Sequence, residues 1–150
     1  MTGNADTKTV LVDIDGTLAD VSHRLHHIQG PGRKDWKSFF RKMKDDPPVD
    51  IVVRWVRNLA PEYDVVIVSG RPDDYREETE LWLQSHQIRY SRLLMRRAGD
   101  RRPDYVVKQE LLSQLDPARI AFVIDDRPTV CDMWRGCGLR VFQVSAGESY

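Results

Sequence analysis

Five short runs rich in apolar residues, separated by segments with helical periodicity, constrain this chain more than any other feature. Residues 9–14, 63–68, 89–95, 119–124 and 139–144 read as strands. Three of these are nearly all apolar, the pattern of strands covered on both faces. Between them, residues 48–59 set Val49, Val52, Val53, Val56 and Leu59 on one stripe behind an early proline. Residues 73–87, 103–115 and 128–137 read as further helices, the last stopping near Gly136 and Gly138. A shorter helix, 35–44, falls in the long connection after the first strand. Strands alternating with helices of this length make βαβ units. The expected fold is therefore α/β, a doubly wound, Rossmann-like sheet of five parallel strands without a large cap domain. Functional residues of such a sheet gather beyond the carboxyl ends of its strands.

A chain of 150 residues builds one core, so one domain over 9–150 is expected, with a flexible stretch at 1–8 and a small helical insertion at about 20–47. With 41% hydrophobic and 31% charged residues, the composition excludes a disordered or fibrous chain. No apolar run is long enough to span a membrane, and the first eight residues lack a secretory pattern. Cys131 and Cys137 provide no disulfide framework, which points to a cytoplasmic setting.

The formal charge is zero, from 23 basic and 23 acidic residues, but it is unevenly spread. Residues 89–102 hold six arginines against the single acid Asp100, a local charge of +5. Arginine's planar fork suits phosphate, so the cluster implies a polyanion held at one place rather than general coating of nucleic acid.

The first strand runs into Asp13-Ile14-Asp15-Gly16-Thr17. Two aspartates two residues apart at a strand end face the same mouth, and the glycine permits a sharp turn. Such a pair can divide labour, one carboxylate attacking and the other moving a proton. The bland alternative is a turn with solvated aspartates. An EF-hand is excluded, because Leu18 and Arg24 occupy its required glycine and glutamate. Other strand ends add Ser69-Gly70-Arg71 and Asp125-Asp126-Arg127, and Lys108 lies one helical turn beyond Asp104.

In that order these motifs resemble the haloacid-dehalogenase superfamily of phosphotransferases, and more closely the 3′-phosphatase domain of phage polynucleotide kinase/phosphatase. The closer match is carried by Val66–Arg71 (VIVSGR), by residues 99–110 (GDRRPDYVVKQE), and by Ile124-Asp125-Asp126-Arg127. Met133-Trp134-Arg135, Gln143-Val144 and Arg24, eleven residues after Asp13, also match. The resemblance covers about residues 9–147. It implies Asp13 as nucleophile, Asp15 as general acid and then base, and Lys108 balancing the charge of transfer. It further implies Mg²⁺ on the Asp13 and Asp125 carboxylates and the Asp15 backbone carbonyl, with Asp126 behind them or binding weakly. Ser69 and the Gly70 N–H would grip phosphate, Arg24 and Arg71 would hold the terminal phosphate or its neighbours, and Asp104 would orient Lys108. Arg96 and Arg97 would guide the strand.

The implied activity is removal of 3′-phosphate from DNA or RNA ends through an aspartyl-phosphate. A small-molecule phosphatase or nucleotidase, or a non-catalytic phosphate-binding module, are the alternatives. No Gly-x-x-x-x-Gly-Lys-Ser/Thr is present, so no ATP site is expected. Residues 25–50 have no counterpart in the resemblance.

Weaker signals have simpler readings. Ser69-Gly70 can be only a turn, and Asp104 only a helix-start acid. His23, His26 and His27 read as solvated rather than as a zinc face. Cys131 and Cys137 read as core fillers. The spacing of Trp36, Phe39 and Phe40 reads first as one buried face and second as a base-stacking surface.

Overall fold

Val10 and Val12 pack into one hydrophobic layer while Leu11, between them, packs into the other. That period-two alternation, with both faces buried, is what a central parallel strand requires. In the computed structural model, residues 6–144 are described. The strands are β1 (Thr9–Val12), β2 (Asp64–Pro72), β3 (Arg92–Arg96), β4 (Ile120–Asp125) and β5 (Val141–Gln143). They form one sheet in the order β3-β2-β1-β4-β5, parallel throughout. The main helices are α1 (Trp36–Arg41), α2 (Asp50–Leu59), α3 (Arg76–Ser85), α4 (Asp104–Leu112) and α5 (Pro128–Gly136). Helices α2 and α3 cover one face, through Val52, Val53, Val56, Trp82 and Leu83. Helices α4 and α5 cover the other, through Leu112, Val130 and Trp134. This is the doubly wound α/β sheet, with no large cap among the described residues.

β1 pairs with β2 on one side and β4 on the other, with Val12 opposite both Ile67 and Ile124. The winding direction reverses here, so the crevice beyond these carboxyl ends is the natural ligand position. The boundaries differ locally from expectation. β1 stops at Val12 rather than 14, because Thr17, Leu18 and Ala19 all direct their N–H groups to the Ile14 carbonyl and close a turn. β2 runs four residues past the expected 68, carrying Ser69, Gly70 and Arg71 within the strand.

Between β1 and α2 lie short 3-10 segments, Ser22–His27 and Met43–Asp45, flanking α1. Asp35 caps α1, accepting from the Ser38 N–H at 3.0 Å. This segment closes around its own small core of Val21, Leu25, Ile28 and Phe39. It is fastened to α3, where Trp82 Nε1 donates to the Asp46 carbonyl at 3.0 Å. Most of the expected flexible stretch 1–8 falls on residues 1–5, outside those described. Thr7 and Lys8 accept hydrogen bonds from Arg119 and from the Asp64 N–H. Among the described residues no helix is long and apolar enough to cross a membrane. Both cysteines are free, and Cys131 is fully buried, as a core filler should be.

Candidate active site

Asp13 leaves β1 with its N–H on the Ile124 carbonyl at 3.0 Å, which brings the ends of β1 and β4 together. Asp13, Asp125 and Asp126 are all buried, with one ligand atom from each within 4.8 Å of the others. Lys108 reaches in from α4 and donates to Asp13 Oδ1 at 2.7 Å and Asp125 Oδ2 at 3.0 Å. Thr17 Oγ1 stands 3.0 Å from Asp13 Oδ2 and 3.1 Å from Asp126 Oδ1. Asp125 also accepts from the Asp126 N–H at 2.8 Å and from Trp134 Nε1 at 3.3 Å. The backbone makes this approach possible at Gly16, whose φ is +84° and where a Cβ would lie 2.1 Å from Asp126 Oδ2. Only glycine satisfies both conditions.

Three carboxylates and one ammonium leave this pocket short of positive charge. Burial, then the Asp125 charge, push the Asp13 carboxyl well above its usual range against the pull of Lys108. Burial likewise raises Asp126. Lys108, despite burial, is held above its ordinary value by Asp125 and Asp13. Clustered hard oxygen donors in charge excess are the donor set a small divalent cation such as Mg²⁺ takes, so the residues fit the expected metal.

Asp15 keeps different company. Its Oδ1 accepts from Arg71 Nη2 at 2.7 Å, Arg71 Nε at 3.0 Å and Arg24 Nη2 at 3.0 Å. Burial would raise this carboxyl, but Arg71 first and Arg24 second bring it down to about 2. Its carboxylate therefore takes no part in the acidic trio. Arg24 and Arg71, expected to touch phosphate, are 0% and 1% exposed. Their remaining nitrogens serve Asp46, Thr79 and the Phe39 carbonyl. The structure makes them a clamp on Asp15, at one remove from the cavity. Behind the clamp stands Asp46, which accepts from Arg24 Nε at 2.8 Å and Nη2 at 2.7 Å. His23 Nε2 lies 2.6 Å from Asp46 Oδ1. The three histidines sit on a 3-10 segment, where positions three apart eclipse and the fourth turns away, and they form no metal group among the described residues.

The third wall is built by Asp104, at the start of α4. It accepts from Arg96 and, at 2.6 Å, from Arg127. Its carboxylate rests on Gly70, where a Cβ would meet Asp104 Oδ1 at 2.6 Å. Arg96 spends its other nitrogens on the carbonyls of Gly70, Asp100 and Arg102, bracing the 97–103 loop rather than reaching outward. Arg97 is exposed and lines a neighbouring hollow with Asp73 and Glu110, away from the carboxylates. Ser69 is buried, and its Oγ accepts from the Arg71 N–H at 3.1 Å. No sequence motif marks Asp46, and none gives Arg127 a role. Asp46 carried no signal, since its partner Arg24 is 22 residues away in the chain.

Asp13, Asp15, Gly70, Asp104, Lys108, Asp125 and Asp126 all open on one cavity of about 640 Å³. Its outer walls are Arg33, Lys34, Trp36 and Phe40 on one side and residues 99–103 on the other. A buried carboxylate beside a lysine, a second carboxylate held by arginines, and basic outer walls suit transfer of a phosphoryl group.

The comparisons agree with this geometry. The family model described as the polynucleotide kinase PNKP phosphatase domain matches residues 7–149. The structure of a Pnkp1/Rnl/Hen1 complex contains a chain 32% identical, with a TM-score of 0.80, covering 97% of this chain and 49% of that one. A structure of the Pnkp1/Rnl/Hen1 RNA repair complex matches at 30% identity and TM-score 0.78, over 99% of this chain and 46% of that one. This chain thus spans about half the length of those relatives. A haloacid-dehalogenase family enzyme from Bacteroides thetaiotaomicron, in complex with magnesium and inorganic phosphate, shares the fold. It has 15% identity and TM-score 0.59, over 96% of this chain and 97% of that one.

Proposed function

The chain belongs to the polynucleotide kinase PNKP phosphatase domain family, within the haloacid-dehalogenase phosphatases, and from that premise we propose that it removes 3′-phosphate from the ends of DNA or RNA. The observation that carries the reading is the opposite treatment of two neighbouring aspartates in one open cavity, Asp13 beside Lys108 and Asp15 beneath Arg71 and Arg24. The naming of an RNA repair complex for a 30% identical relative supports RNA ends in particular.

In the first step Asp13 attacks phosphorus, forming a P–O bond as the bond to the 3′ oxygen breaks. Asp15, which takes up a proton from solvent as the substrate binds, gives it to that oxygen. A phosphate dianion entering the cavity raises the proton affinity of Asp15 by like-charge repulsion, which lets a carboxylate charged at rest act as the acid. As Asp13 gives up its charge to the new bond, Lys108 is released to neutralise the phosphoryl oxygens. In the second step Asp15 takes a proton from water, which attacks phosphorus and frees Asp13. Asp13, Asp125 and Asp126 would hold Mg²⁺, which would supply positive charge to the phosphoryl group.

The test is phosphate release from a 3′-phosphorylated oligonucleotide, the 5′-phosphorylated isomer and a mononucleotide, with and without chelator. Release from the 3′ end alone, abolished by EDTA, is the expected result. Preference for the mononucleotide would replace the reading with a nucleotidase.

A further inference from the structure

Trp36, Phe39 and Phe40 do not form one buried face. Phe39 is 2% exposed and anchors the small core of the insertion, whereas Trp36 is 42% exposed. The split follows from α1 beginning at Trp36: its ring lies at the helix end, over the cavity shared with Asp13 and Asp15. The indole is fixed from behind. The Phe40 ring stacks on it at 5.9 Å and 24°, Phe39 meets it edge-on at 5.7 Å, and Phe40 is backed by Tyr75 at 5.3 Å. Lys34 Nζ lies 5.6 Å from the Trp36 ring centroid, and Arg33 lines the same wall. A rigid aromatic ring with an exposed lysine cation over its face, which an incoming base would displace toward the phosphate, has inside a concave site the chemistry to take a flat π-system joined to phosphate.

We propose that Trp36 is the base-stacking platform of the site, receiving the nucleobase of the nucleotide that carries the scissile 3′-phosphate, with Lys34 and Arg33 beside its phosphodiester. The proposal rests on the phosphatase reading above and adds to it a contact to the base. Stacking is tolerant of base identity, because every base presents a π-face, so the ledge favours a terminal nucleoside without selecting its sequence. The ring is already ordered by Phe39 and Phe40, so little rotamer freedom remains to be lost on binding.

The test compares kcat/KM for a 3′-phosphorylated oligonucleotide with that for the same strand ending in an abasic 3′-phosphate. The wild-type protein should favour the base-bearing end by about tenfold or more, the effect of one stacked base. Trp36→Ala should bring that ratio close to one, and Trp36→Phe should keep most of it. Thermal melting of both variants checks the fold, which an exposed ring does not hold together. Equal rates on both ends in the wild type, or an unchanged ratio in Trp36→Ala, would overturn the ledge and leave the phosphatase reading standing. Turnover of a small alkyl phosphate but of neither oligonucleotide would overturn the reading and the ledge together.

Discussion

Asp13 and Asp15, two residues apart, stand in opposite electrostatic surroundings. Asp13 Oδ1 meets Lys108 inside a cluster of carboxylates, while Asp15 Oδ1 is held at 2.7 Å and 3.0 Å by Arg71 and Arg24. The first carboxyl is pushed up and the second is brought down to about 2. Neighbours rather than sequence position divide their roles.

Asp13→Asn should reduce phosphatase activity to background, because an amide cannot attack phosphorus. It should also stabilise the metal-free protein, since it removes a carboxylate whose ionised form is disfavoured by burial and by Asp125. A gain of about 1 kcal/mol corresponds to about 2–4 °C for a chain of this size. Melting in EDTA and in Mg²⁺ reads both effects. A lower melting temperature in EDTA would contradict the charge argument.

Asp46→Ala should cost about 3–5 kcal/mol, because Arg24 and Arg71 would be left with one carboxylate in a buried site. Asp46→Asn keeps the shape and removes the charge, so Asp15 bears the full pull of both guanidiniums and gives up its proton affinity. The expected result is a kcat lower by roughly tenfold to a hundredfold with KM little changed. Urea denaturation and steady-state kinetics separate the two effects.

Asp15 makes stability pH-dependent with a definite sign. Its folded value of about 2 lies below the ordinary 3.8. Its ion pairs therefore stabilise the fold fully above about pH 4, and that contribution is lost as pH falls toward 2. The contribution is roughly 2 kcal/mol. The stability difference between wild type and Asp15→Asn should be largest near neutrality and shrink across that window. A constant difference would show that the arginines do not act through the carboxylate charge.

Gly16→Ala places a Cβ 2.1 Å from Asp126 Oδ2 on a backbone with φ +84°. The Asp126 carboxylate must move, so the stabilisation that Mg²⁺ confers in melting experiments should largely disappear. Retention of the wild-type response to Mg²⁺ would place the cation away from Asp126.

The arginines of residues 89–102 should separate into two kinds. Arg96→Ala should destabilise, since its guanidinium braces Gly70, Asp100, Arg102 and Asp104. Arg101→Ala, on the cavity wall, should reduce the log–log salt slope of oligonucleotide binding by about 0.7. Arg97→Ala, facing the neighbouring hollow, should leave that slope unchanged. An equal change for Arg97 and Arg101 would mean that the strand runs across the whole loop.

The five parallel strands, their covering helices and the places of Asp13, Asp125 and Lys108 at the carboxyl ends were legible from the chain alone. Period-two and helical patterns record which face of each element is buried, and short motifs record which groups sit at the strand ends. Side-chain partnership across distant segments leaves no such record. Arg24 and Arg71 read as phosphate ligands because a guanidinium looks the same in sequence whatever it touches. Only the packing of the insertion against α3 puts Asp46 behind them and turns both onto Asp15. Trp36 and Phe39, three apart, likewise carry one periodic signal. The end of α1 and the cavity beside it leave one ring exposed and bury the other. Sequence thus determined the scaffold and the kinds of groups at its mouth, because these follow from local periodicity and connectivity. Tertiary structure decided which charge each group meets, because electrostatic interactions depend on distance in space and not on separation along the chain.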